Sequence, residues 1–176
     1  MSRSSNFCSD LCEALQQRID SHKWSAEWKP LGGSRESVDV AGLPNEDATN
    51  NRVILVEIEL RREDPASNII KIWEWFHKGK LPKAIVFFQG FSKVYYSPKH
   101  PAKIKKGKNA QFVGDMLNKM SRGIRYFPVR FEYLPYKGAK QGGGARRRAA
   151  KRLAKKIAVL WRKVEKVNHG PKKKQR

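Results

Sequence analysis

Residues 53–60 read VILVEIEL. Side chains two apart on a strand share a face, so Val53, Leu55, Glu57 and Glu59 stand on one side and Ile54, Val56, Ile58 and Leu60 on the other. The second set is a complete core stripe. The first turns acidic only at its C-terminal end, where two like charges repel and burial disfavours both. A strand this apolar is no solvated edge, and the pattern predicts that it leaves the core at Glu57 and enters a cleft. Upstream, ESVDVAGLP (36–44) alternates as a second strand, and NEDATNN (45–51) reads as the polar turn between them. A hairpin closed there brings Asp39 close to Glu57, so Asp39, Glu57 and Glu59 are expected to converge.

Working outward, SDLCEALQQRIDSHKW (9–24) carries a helical stripe at Leu11, Cys12, Leu15 and Ile19, with Ser9 or Asp10 as N-cap. AEWKPLGG (26–33) is extended. Asp64-Pro65 opens a helix that turns Ile69, Ile72, Trp73 and Phe76 inward and ends at Gly79, with Trp75 exposed or at an interface. KAIVFFQGFSKVYY (83–96) is a second buried strand interrupted by Gln89, which faces the cleft or closes the strand as a satisfied amide. SPKHPAKIKKGKN (97–109) reads as a Pro/Lys-rich loop. AQFVGDMLNKMSRG (110–123) reads as a helix with Phe112, Val113, Met116, Leu117 and Met120 inward. IRYFPVRFEYLP (124–135) is a last strand, placed near an edge because Pro128 has no N–H to donate. The order αβββαβαβ over residues 1–135 implies an α/β domain with a mixed sheet flanked by helices.

The remainder is different in kind. Residues 136–144 form a Gly-rich linker, 145–168 a basic amphipathic helix, and 169–176 a disordered basic tail. The helix carries a narrow seam at Ala150, Leu153, Ile157, Leu160, Val164 and Val167. Such a short seam either docks on its own domain or joins a homodimer or partner subunit.

The chain has 38 Lys and Arg against 16 Asp and Glu, a formal charge of +22, and 16 of those bases lie beyond residue 135 with one acid, Glu165. A polyanion is the partner this implies. Lys99, Lys103, Lys105, Lys106 and Lys108 in the loop are expected to contact a nucleic-acid backbone. Arg146, Arg147, Arg148, Lys151, Arg152, Lys155 and Lys156 in the last helix are expected to do the same. No apolar run approaches a membrane span, and the N-terminus lacks a secretory h-region, so a cytoplasmic setting with no membrane partner is expected. Cys8 and Cys12 read as packed, reduced thiols. Glu13 reads as a surface residue of the first helix. The four histidines (22, 77, 100, 169) have no metal-ligand spacing. Three acids in so basic a chain need a counterion, and a hard divalent cation, Mg²⁺ or alternatively Mn²⁺, suits oxygen ligands.

The pair VDVAG (38–42) and VEIEL (56–60), set within αβββαβ, resembles the PD-(D/E)xK nuclease superfamily, the restriction-endonuclease-like fold. The resemblance implies that Asp39 and Glu57 hold the metal. Glu59 stands where the superfamily lysine is usually found, as in those members that use a second acid to position or activate water. Other members carry the lysine on the following helix, where Lys71 is the match, and Lys71 or Arg61 is then expected to stabilise charge. The implied function is metal-dependent hydrolysis of nucleic-acid phosphodiesters, DNA rather than RNA. The alternative is a catalytically inactive nucleic-acid-binding subunit of the same fold within a nucleoprotein or defence assembly.

Overall fold

A strand apolar on both faces must be covered twice, and β3 (Val53–Glu59), buried along its whole length, is. The computed structural model describes residues 3–30, 36–48, 50–134 and 143–168. Its five strands make one open sheet in chain order, β1 (His22–Trp28), β2 (Val38–Pro44), β3, β4 (Ile85–Phe91) and β5 (Ile124–Arg130). The first three form an antiparallel meander, whereas β3, β4 and β5 run parallel. The protein is thus α/β with a mixed sheet.

Parallel neighbours need crossovers, and α2 (Ala66–His77) and α3 (Pro101–Met120) supply them on one face. There Val53 and Leu55 of β3 pack with Ile69, Ile72, Ala110 and Leu117. On the other face Ile54, Val56 and Ile58 meet Leu11 and Leu15 of α1 (Arg3–Gln16) and Leu153, Ile157 and Trp161 of α4 (Gly143–Asn168). β5 is the edge strand, with Pro128 exposed.

The helical seam of α4 lies against its own domain. Ala150, Leu153, Ile157 and Val164 are buried and Leu160 half-buried; the side chain of Val167 lies outside the described residues. Asp10 fastens the layer by accepting from Arg146 Nε at 2.6 Å, with Arg147 at 3.5 Å. That pairing places Asp10, like Ser9, inside α1 rather than at its cap. Of the predicted linker, residues 136–142 lie outside the described residues, and its last two glycines open α4; the predicted tail 169–176 lies outside them too.

Three expectations are corrected. The first helix ends at Gln16, and the strand begins at His22, whose buried imidazole Nε2 lies 2.9 Å from the Arg52 carbonyl oxygen and ties β1 to the start of β3. Trp75, not Trp73, is the buried tryptophan of α2, because it continues the row from Asn68 and Ile72 while Trp73 is only partly covered. Of the expected loop only 97–100 is one; residues 101–109 are helical, since α3 starts at Pro101 in the N1 position proline favours. Its inner face is Gly107, Ala110, Gly114 and Leu117. A β-carbon on Gly114 would fall 2.1 Å from the Tyr126 ring, so the small face is pressed onto the tyrosine and Phe112, Met116 and Met120 point outward.

Candidate active site

β2 and β3 stop pairing where the acids begin. The ladder runs from Gly42 opposite Ile54 to Val40 opposite Val56 and goes no further. On the other side of β2, the ladder with β1 skips the Glu27–Asp39 step, and Glu27 has φ 51°, a left-handed conformation unusual for a side chain of its kind. The N–H of Ile58 is satisfied by the Asp39 carboxylate at 2.7 Å instead of by a strand carbonyl. A side chain therefore replaces a rung of the sheet, and the two strands splay into a cleft.

Into that cleft α2 projects Lys71. Its Nζ lies 2.7 Å from Glu57 Oε1 and donates to the Ser37 carbonyl at 2.8 Å, above the Trp75 ring. Of its three N–H groups one is committed to the Ser37 carbonyl, while Glu57 balances the charge. The Asp39 and Glu57 carboxyls are close enough to influence each other's ionisation. Burial raises the pKa of both; at Glu57 the neighbouring Asp39 charge adds to the rise and Lys71 opposes it.

Glu59 belongs to a different set of contacts. Its Oε1 accepts from Gln89 at 2.7 Å and from Asn68 at 2.9 Å, and Tyr126 donates to the Gln89 amide oxygen at 2.9 Å. Arg62 donates to Asn68 Oδ1 at 3.0 Å, which holds an exposed guanidinium beside the acids. Glu59 is fully buried and its Oε2 has no hydrogen-bond partner among the described residues. Burial pushes its pKa up to about 6, against the two amide donors.

Among the described residues no group of three or more His, Cys, Asp and Glu side chains is arranged to hold a metal ion. The expected convergence of three carboxylates is therefore corrected to two. Glu59 shares the strand face of Glu57, but amides from α2 and β4 draw its carboxylate aside. The remaining pair still fits a hard divalent cation, because Mg²⁺ takes one or two carboxylates with water and phosphate. A cation held by Asp39 and Glu57 would offset the cost of burying their charges.

The other expected residues are spread along the same end of the sheet and beyond it. Arg61 is half-buried. Lys103 and Lys106 are bound to Glu63, at 2.5 Å and 2.6 Å, and Lys103 also donates to the carbonyls of Arg61 and Arg62. Those two lysines hold Glu63 down to about 2. They brace the 60–65 segment rather than stand open to a phosphate. Lys99, Lys105 and Lys108 are exposed. Arg147, Arg148, Lys151, Arg152, Lys155 and Lys156 are exposed on α4, on the opposite face of the sheet, whereas Arg146 is tied to Asp10. Glu13 is exposed on α1, away from the cleft. Arg62, Asn68 and Tyr126 were missed as contributors. The signal for Asn68 was available: it lies nine residues after Glu59, in the first turn of the helix that follows.

Comparison with known protein families, characterised proteins and solved structures finds no match to this chain.

The raised pKa of Glu59 has a sign that can be measured. A carboxyl whose folded pKa lies above its unfolded value of 4.5 stabilises the fold below that value, and the contribution is lost as pH rises through about 6. Glu59→Gln keeps the oxygen that Asn68 and Gln89 need and removes the charge. It is expected to change stability little at about pH 4 and to raise it at about pH 8 by ~2 kcal/mol. Thermal unfolding at the two pH values checks this, with a Tm gain of about 4–8 °C at the higher one.

Proposed function

We propose that the protein is a metal-dependent nuclease that hydrolyses phosphodiester bonds of nucleic acid, with DNA as the favoured substrate. The observation that carries the reading is the meeting of Lys71 with Glu57 and Asp39. An acid, a second acid and a lysine come together although position 59 holds Glu, which is the arrangement expected when the motif lysine has moved to the following helix. The α/β fold with its mixed sheet and the large excess of basic charge are consistent with it.

Asp39 and Glu57 hold the divalent cation, Mg²⁺ or Mn²⁺. When bound, the cation supplies polarisation of the phosphate and a water of lowered pKa. Lys71 offers an N–H to charge developing on the phosphate oxygens. Arg62, anchored on Asn68, and Arg61 stand next to it for the flanking phosphate. Glu59 has a positioning role: through Asn68 and Gln89 it pins the first turn of α2, and with it Lys71, against the sheet.

The test is cleavage of supercoiled plasmid, single-stranded DNA and RNA in Mg²⁺, Mn²⁺ or EDTA, beside Glu57→Ala. Cleavage that needs the metal and falls more than about 100-fold in the variant is the expected result. Binding without cleavage, equal in both proteins, overturns the nuclease reading in favour of a nucleic-acid-binding subunit.

A further inference from the structure

Between β5 and α4 lies a groove that takes no part in the site above. Its floor is aliphatic, from Pro128 on the edge strand to Val159 and Leu160 on the helix. Pro128 is exposed, Val159 is 45% exposed, and Leu160 is half-buried. Arg152, Lys155 and Lys156 line it from α4, Lys156 Nζ donating to the Arg130 carbonyl at 2.6 Å, and the Arg130 guanidinium lies over the Tyr96 ring. The nearby acid, Glu132, is already paired with Lys93 at 3.0 Å.

We propose that this groove docks an acidic amphipathic helix of a partner protein. Cations alone draw any polyanion, so the floor decides between occupants. A nucleic-acid strand rests its bases on exposed aromatic faces. Among the described residues the one aromatic ring in the lining, Phe131, is fully buried. An extended peptide adding to β5 meets Pro128, which gives no N–H to the new rung. A helix with an apolar stripe and flanking carboxylates satisfies floor and rim together. The stretch from Arg152 to Leu160 is about 13 Å long, enough for two to three turns of such a helix. A second copy of this chain is a poor occupant, since each copy carries a formal charge of +22.

The full-length chain is titrated, by fluorescence anisotropy, into a labelled synthetic peptide of about four helical turns with leucines on one face and glutamates on the other. The Val159→Ser, Leu160→Ser double variant removes the floor and keeps every charge, and it is expected to weaken binding at least about tenfold. Val159→Glu, a change at an exposed position, is expected to do the same. Phe112→Ser, on the far side of the molecule, is expected to leave binding unchanged. Binding that survives both groove variants overturns the proposal and reduces the contact to charge attraction. An oligothymidylate that competes with the peptide and loses affinity in the double variant also overturns it, by making the groove a nucleic-acid track. Neither readout involves cleavage, so the nuclease reading stands or falls separately.

Discussion

Lys71→Met is expected to abolish cleavage and to destabilise the fold, and adding Glu57→Gln is expected to restore the stability without the activity. The Lys71 side chain is 12% exposed and that of Glu57 1%, so the pair is well removed from water. Removing one partner of a buried ion pair typically costs 3–5 kcal/mol, whereas replacing both with neutral groups of similar shape costs little. In the single variant Glu57 faces Asp39 with no cation beside it, and its carboxyl must hold a proton to stay buried. The double variant removes that charge, so its unfolding midpoint returns toward the parent value. Plasmid cleavage stays lost in both by more than about 100-fold, because neither has the ammonium or the full carboxylate pair. A double variant that regained cleavage would show that Lys71 serves only to neutralise Glu57. Denaturant unfolding and the cleavage assay on the same preparations check both halves.

Deleting residues 143–176 is expected to leave no cooperatively folded domain. In sequence these residues look like a basic appendage, because 14 of the 34 are lysine or arginine and only Glu165 is acidic. In the structure Ala150, Leu153, Ala154, Ile157 and Trp161 are within 1% of complete burial against α1 and the sheet. Removing one core residue of the size of Leu or Trp costs about 2–5 kcal/mol. Losing all of them exceeds the whole stability of an ordinary domain, about 5–15 kcal/mol. The truncated chain is expected to show no thermal transition by circular dichroism. The milder Trp161→Ala change is expected to lower stability by about 3–5 kcal/mol. A truncated chain that melts cooperatively would make the helix a dispensable extension.

The centre of the site was legible because one rule, strand alternation, carries most of it. Alternation put Glu57 on the face opposite Ile58, the polar turn after Pro44 put β2 beside β3, and the resemblance to nucleases with the lysine on the following helix pointed to Lys71. Alternation also put Glu59 with Glu57, and this is where it misled. Shared facing says nothing of which amide a carboxylate finds, and Gln89 comes from thirty residues away. The lysines of α3 were hard to read for another reason. Apolar periodicity assumes that the largest side chains face inward, but Tyr95 and Tyr126 fill the space under α3. Only Gly107 and Gly114 fit beneath those rings, so the phase of the helix is set by small residues. The seam of α4 was legible, but its buried face is wider than the seam, since Ala149, Ala154, Ala158 and Trp161 are buried as well.

The Asp39 carboxylate is a hydrogen-bond acceptor for the Ile58 N–H as well as a member of the acidic pair. Its loss therefore leaves the Ile58 N–H without its acceptor, whatever chemistry the acid serves. Asparagine keeps an acceptor oxygen there and alanine does not, so the two substitutions separate architecture from chemistry. Asp39 and Lys71 both serve the fold, so the presence of either residue says nothing by itself about catalysis.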